Sequence, residues 1–216
     1  MLTFEDLTLE NWAIFKSHVL KSECIFPSLI RTPYQEFVDL LFDTNTISKI
    51  ALLDGEYAGN AIGYGLRQED MEEHGLVDEP ADGKIFYLFN FIIDEKFQGR
   101  DFGMQLLLEI IRVVRQEGYE RVAGHFRENR AMSMNKRLGA REKAIVQNWY
   151  GTGENYHLCI IDLDKIPASH TVQPHVSVTE PQKVQQEIQT ELQPDLQIQM
   201  RSPAVSQSAQ DFLKQA

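Results

Sequence analysis

Between residues 86 and 93 the chain reads F-Y-L-F-N-F-I-I, an apolar and aromatic run of strand length interrupted only by Asn90. A run without polar alternation suits a strand covered on both faces, so the pattern predicts a strand at the middle of a sheet. Asp94, Glu95 and Lys96 end it. Gln98-Gly99-Arg100-Asp101-Phe102-Gly103 then turns the chain into a helix whose apolar stripe continues through Leu106, Ile110, Val113 and Val114. Helical spacing also marks residues 9–22 and 33–43, the second with Thr32 as cap and Pro33 in the first turn. Strand patterns at 49–53 and 61–66 are joined through Asp54-Gly55-Glu56, a hairpin signature. Beyond the central helix the pattern predicts a strand over 120–126, a helix over 130–138 and a closing strand pair at 143–149 and 156–163. The expected fold is α/β, a mixed sheet with helices on its faces.

From Asp164 the character changes. Residues 164–216 hold eleven glutamines, five of the eight prolines, no glycine and one aromatic residue, Phe212. Such a composition cannot bury enough apolar surface to offset the entropy of ordering, so the expected division is a folded domain over 1–163 and a disordered tail over 164–216. Two short amphipathic runs in the tail, 184–192 and 205–213, could fold onto a protein partner.

The formal charge of −11 argues against nucleic acid as a partner, because a phosphate backbone is met by clustered Lys and Arg. The acidic balance favours a cationic acceptor instead. Its densest stretch, Glu69, Asp70, Glu72, Glu73, Asp78, Glu79 and Asp82, reads as a solvated loop, with recognition of a basic substrate as the sharper alternative. With no N-terminal apolar segment and no run of membrane-spanning length, the expected setting is cytoplasmic, with no membrane partner. Cys24 and Cys159 are too few for a disulfide framework or a metal site, and their apolar neighbours predict two buried thiols.

A strand feeding a glycine-bearing turn feeding a helix is a ready phosphate site. The first-turn N–H groups lack intrahelical partners and lie at the positive end of the helix dipole. Q98-G-R-D-F-G103 after L-F-N-F-I-I-D resembles the acetyl-CoA signature Q/R-x-x-G-x-G/A of the GNAT superfamily of N-acetyltransferases. Glu128 to Gly139, E-N-R-A-M-S-M-N-K-R-L-G, resembles that superfamily's following helix. Asn148-Trp149-Tyr150 with Gly153-Glu154-Asn155 is similar to the N-Y-Y and G-E-D segment of its protein-acetylating branch, which modifies ribosomal-protein alanines and protein N-termini. The three motifs stand in the family's order, and the resemblance covers roughly residues 1–163.

The resemblance implies a mostly antiparallel sheet, acetyl-CoA as acyl donor, and direct acetyl transfer to a primary amine of a protein or peptide. A small-molecule amine, or a catalytically weak module that holds CoA and regulates, are the alternatives. It assigns cofactor contacts to Phe91, Ile92 and Ile93 at a bulge of the central strand, to Gln98, Gly99, Arg100, Asp101, Phe102 and Gly103, and to Asn129 and Asn135. Asp101 replaces the signature's first glycine, where a carboxylate facing phosphate would repel it; turned away, it could cap the helix. Asn135 stands where the family normally has the tyrosine that meets the leaving thiolate, which leaves Tyr150, Tyr156 or solvent for that proton. Phe26-Pro27, Trp149 and Tyr150 would line the acceptor side, with Phe26 as a core plug under its loop the equal alternative.

Amine attack requires proton removal, since an α-amine titrates near ~7.7–8.0 and a lysine near ~10.4. His125 occupies the position where the resembling branch keeps a glutamate base. An imidazole of ordinary pKa ~6.5 suits that task, although a histidine bonded inside the sheet is the other reading. Tyr150, and a water held by Asn90, are the further candidates for proton transfer. The oligomeric state is open.

Overall fold

The computed structural model describes residues 1–166. The amphipathic runs expected at 184–192 and 205–213 lie outside the described residues. Seven strands form one sheet in the order β1-β2-β3-β4-β5-β7-β6: β1 Leu2–Asp6, β2 Thr46–Leu53, β3 Glu56–Gly65, β4 Ile85–Ile93, β5 Arg121–Arg127, β6 Arg141–Val146 and β7 Tyr156–Asp162. The helices are α1 Leu9–Ser22, α2 Tyr34–Phe42, α3 Phe102–Gln116 and α4 Arg130–Arg137. β4 lies at the centre, as its unbroken apolar run predicts, and its pairing with β5 is the single parallel one.

Two layers cover the sheet. Under α3 and α4 sit Phe86, Leu88, Leu106, Leu107, Ile110, Val114, Val122 and Leu138. On the other face, α1 and α2 close over Trp12, Val19, Phe37, Ile50, Leu52 and Ile62. Beside them the 68–83 segment lays Met71 and Leu76 against Ile85, Ala123, Leu158 and Ile160. That segment is exposed at Glu69, Glu72, Glu73, Asp78 and Asp82, as its composition predicts, but it is anchored to the sheet rather than free in solvent. Leu76 is fully buried, while Glu79 pairs with Arg121, Arg141 and Lys143, Asp78 with Lys143, and Asp82 with Arg121. Those three carboxylates answer basic side chains of β5 and β6 within the domain.

Other expectations shift for local reasons. β3 begins five residues before the predicted Ala61. Its early half, E-Y-A-G-N, looks polar, yet it lies so close to β4 that a Cβ at Gly59 would strike the Ile92 carbonyl, and Asn60 is wholly buried. β1, which the apolar pattern leaves unmarked, is a short edge strand whose Leu2 and Phe4 alone reach the core. β6 stops at Val146, because Asn148 and Tyr150 both take left-handed backbone. Pro33, not Thr32, caps α2, and the Thr32 N–H goes to Glu23 Oε2 at 2.7 Å. Cys24 is exposed; Cys159 is buried, with Sγ against Met132 Sδ.

Candidate active site

β4 and β5 pair only at Ile85–Arg121, Phe86–Val122 and Tyr87–Ala123. Beyond that point they diverge, so residues 88–93 and 124–127 leave backbone unladdered across a gap at the centre of the sheet. Opposite β3 the register pairs Ile62 with Asn90 and Gly63 with Leu88, which makes Phe89 the extra residue of a β-bulge. The bulge therefore lies at Phe89, not at Ile92 and Ile93 as expected, and it resets the alternation of side chains. Leu88, Phe91 and Ile93 pack toward α3, while Tyr87, Phe89 and Asn90 all turn to the opposite face. The Asp94 N–H donates to Ala58 O on β3 at 2.9 Å. Alternation then directs the Ile92 amide to β3 and the Phe91 and Ile93 amides into the gap.

At one mouth of the gap the chain turns into α3. Gly99 and Asp101 both take left-handed φ, +82° and 62°, the conformation that folds successive N–H groups toward a common point. Gln98 Nε2 donates to Ile93 O at 3.0 Å, tying the turn to the end of β4. The Asp101 side chain makes no cap hydrogen bond; it is exposed and lies 3.9 Å from Arg137 Nη1 on α4. Gly103 lets α3 close onto α4 and β4, since a Cβ there would meet Met134 Sδ at 3.1 Å and Ile93 Cγ1 at 3.5 Å. On α4, Asn129 caps the helix through Ala131 N at 2.8 Å. Asn135 is buried; its Nδ2 donates to Ala131 O at 2.8 Å, and its Oδ1 has no partner within the protein.

On the other face lies an aromatic cluster. His125 Nδ1 is 2.7 Å from the Tyr87 hydroxyl, and the imidazole packs on Trp149 with ring centres 4.3 Å apart. Trp149 stacks on Tyr156 and meets the edge of Tyr150. Burial, reinforced by neighbouring His74, pushes the His125 imidazole down to about 3, and burial pushes the Tyr87 phenol far up. The hairpin loop that carries Trp149 is pinned. Trp149 N donates to Glu154 O at 2.8 Å, Gly153 N to Asn148 Oδ1 at 2.8 Å and Asn148 N to Asn155 Oδ1 at 3.1 Å. That pinning sustains the left-handed φ of 46° at Tyr150, a conformation unfavourable for an aromatic residue.

The loop between α1 and α2 faces this cluster. Arg127, at the end of β5, donates to Ile25 O at 3.1 Å, lies over the Phe26 ring at 5.3 Å and pairs with Glu154 at 3.3 Å. Phe26 and Pro27 are half-buried beside it. His125, Trp149, Tyr150 and Phe26 are thus gathered on one side of the gap. Asn90 is instead drawn into a buried chain: its Nδ2 donates to Glu23 Oε1 at 2.6 Å, and its Oδ1 accepts from Asn60 Nδ2 at 2.6 Å. Burial raises the Glu23 carboxyl, opposed by hydrogen bonds from Thr32 and Asn90.

Tyr87, Glu23 and Arg127 escape the sequence reading. In a strand buried on both faces, period two does not say which residues share a side, and a bulge leaves no compositional mark. Nothing in Ser22-Glu23-Cys24 signals that its carboxylate is enclosed.

A sheet parted between two central strands, with a left-handed turn into a helix at one mouth and an imidazole at the other, is the architecture that the chain presents at its centre. The chain belongs to the GNAT acetyltransferase family: residues 14–140 match the sequence model of the family described as Acetyltransferase (GNAT). No curated protein matches the chain by sequence. Among solved structures it is similar to the ribosomal-protein-S18-alanine N-acetyltransferase of Escherichia coli, with TM-score 0.59 and 18% identity over 76% of this chain and 94% of that one. It is also similar to Arabidopsis thaliana NAA60 in complex with a bisubstrate analogue, with TM-score 0.60 and 18% identity over 75% and 99%. A mosquito arylalkylamine N-acetyltransferase like 5b gives TM-score 0.62 at 8% identity over 74% and 99%. At these identities the likeness is one of fold. Among the described residues no helix is long and apolar enough to cross a membrane.

Proposed function

We propose that this protein transfers the acetyl group of acetyl-CoA to the α-amine of a protein or peptide. Acetyl-CoA supplies an activated thioester carbonyl. Two features of the chain fit it: the turn with left-handed Gly99 and Asp101, whose N–H groups suit a pyrophosphate, and the orphaned Oδ1 of buried Asn135, which lacks a donor. The Phe91 and Ile93 amides would hold the donor's polar groups along the gap, with Gln98, Arg100, Phe102 and Asn129 shaping its mouth.

The observation that carries the choice of amine is the enclosure of the His125 imidazole between Tyr87 and Trp149. A His125 held at about 3 is too weak a base to strip a lysine ammonium near ~10.4, whereas an α-amine near ~7.7–8.0 is already partly neutral at working pH. His125 is then needed only after attack, when bonding to an acyl carbon has made the nitrogen acidic. The role requires the tautomer in which Nδ1–H is donated to the Tyr87 oxygen, which leaves the Nε2 lone pair for that proton. Phe26, Pro27, Trp149 and Tyr150 form the walls, and the Arg127 ties to Ile25 O and Glu154 join those walls above the gap.

The test is release of free CoA thiol with paired peptides. Peptides with a free N-terminus should turn over at least ~10-fold faster than N-acetylated peptides bearing an internal lysine, as the pKa difference requires. Equal rates would sink the α-amine assignment, and faster turnover of small amines would replace it.

A further inference from the structure

The loop between α1 and α2 reaches the sheet at two points, one on each side of the gap. Arg127 of β5 holds Ile25 O at 3.1 Å, and Asn90 of β4, the residue that follows the bulge, donates to Glu23 Oε1 at 2.6 Å. The loop is braced internally as well: Arg31 Nε donates to Phe26 O at 2.9 Å, and Glu23 Oε2 accepts the Thr32 N–H at 2.7 Å. These bonds tie it across the place where β4 and β5 part. A carboxylate only accepts, so Glu23 fixes the direction of every bond behind it. Asn90 must present Nδ2 to Glu23 and hence Oδ1 to Asn60 Nδ2, and Asn60 Oδ1 in turn accepts from the Tyr57 hydroxyl. Glu23, Asn60 and Asn90 are 2%, 0% and 3% exposed, an enclosure that makes each unmade bond costly.

We infer that Glu23 is a positioning residue for acetyl transfer: through Asn90 it registers the acceptor loop against the bulge of β4, and so the acceptor amine against the donor held along that strand. The inference rests on the acceptor side proposed above. It assigns Glu23 no proton transfer and no need of charge, only two accepted hydrogen bonds, and that separates it from a base. A glutamine at position 23 can keep the Thr32 bond through Oε1 and donate Nε2 to Asn90, provided that the Asn90 and Asn60 amides turn over and the Tyr57 hydroxyl swings to Ser22 Oγ, 3.2 Å away. An aspartate at 90 facing Glu23 offers it no donor: the two carboxylates repel in a dry site unless one of them takes up a proton.

The experiment uses the full chain, the best peptide acceptor from thiol release, CoA calorimetry, and amide exchange across residues 23–32. Glu23→Gln should stay within ~3-fold of wild type in kcat/KM for the peptide. Asn90→Asp should lose ~10–100-fold, the scale of a misplaced reactant, with CoA affinity unchanged and faster exchange of the loop amides. Glu23→Gln with Asn90→Asp should restore both, since glutamine donates to aspartate and Asn60 still donates from behind. If Glu23→Gln alone is as damaging as Asn90→Asp, the carboxylate matters as a charge or a base and the positioning role is overturned. A double variant no better than Asn90→Asp overturns it too. Exchange reads the strut without turnover: a wild-type protein that releases no thiol with any amine refutes the transferase reading, while loop amides indifferent to Asn90→Asp refute the strut.

Discussion

His125 shows how far an environment moves a residue from its ordinary behaviour. Its sequence position suggests a base titrating near neutrality, but burial between Tyr87, His74 and Trp149 holds the imidazole at about 3. The linkage sign follows. The folded value lies below the unfolded ~6.5, so the stability His125 contributes is complete above ~6.5 and is lost as pH falls toward 3. Melting temperature should therefore drop more steeply between pH 7 and 4 in wild type than in His125→Gln, and parallel slopes would show that the imidazole is not held neutral. His125→Ala should lower kcat by ~10²–10⁴-fold with CoA affinity retained. The acid limb of kcat/KM should track the acceptor amine near ~8 rather than an imidazole near ~6.5. A limb near 6.5 that vanishes in the alanine variant would restore the ordinary histidine base.

At the entry into α3, backbone conformation and charge meet at Asp101. Asp101 holds a left-handed φ of 62° without the cap hydrogen bond a carboxylate could make there, and its charge lies near Arg137 rather than on the turn's N–H groups. Asp101→Gly should thus leave CoA binding equal or tighter, because glycine adopts that φ freely and the anion is gone. Gly103 is constrained by packing, not by φ. A branched side chain there would push α3 away from Met134 and Ile93, and Gly103→Val should abolish CoA binding in calorimetry while far-UV dichroism persists. Tight binding by the valine variant would refute the turn as the pyrophosphate seat. The hairpin loop before β7 follows the same logic on the acceptor side, since Asn148 and Asn155 supply the bonds that hold Trp149 over His125.

At the scale of the molecule, distant segments close the domain. Glu79 in the 68–83 segment joins β5 to β6 through Arg121, Arg141 and Lys143, and the Arg141 hydrogen bonds hold its carboxyl below the usual range. Leu163, which follows β7, is tied in as well: it is buried, its N–H reaches Glu120 O at 2.9 Å, and Arg115 donates to its carbonyl. A chain ended after Ile166 should keep its thermal midpoint and CoA affinity nearly unchanged, because the three motifs and the apolar periodicity of the sequence all lie before that point. A truncated protein that fails to fold would show that the remainder packs on the domain.

The amino-acid sequence by itself determined the central strand, the helix that leaves it, the order of elements after β1 and the turn chemistry between them. Apolar runs, helical spacing and glycine placement are local quantities, and they survive in one dimension. Only the tertiary structure decided which side of β4 each residue serves, because the bulge at Phe89 resets a period that a fully buried strand does not display. It alone parted β4 from β5, set Tyr87 beside His125, and enclosed Glu23 against Asn90 across 67 residues of chain. Such pairings join groups with no sequence relation to one another. The pKa of His125 depends on them, since desolvation is a property of what surrounds a residue rather than of the residue itself.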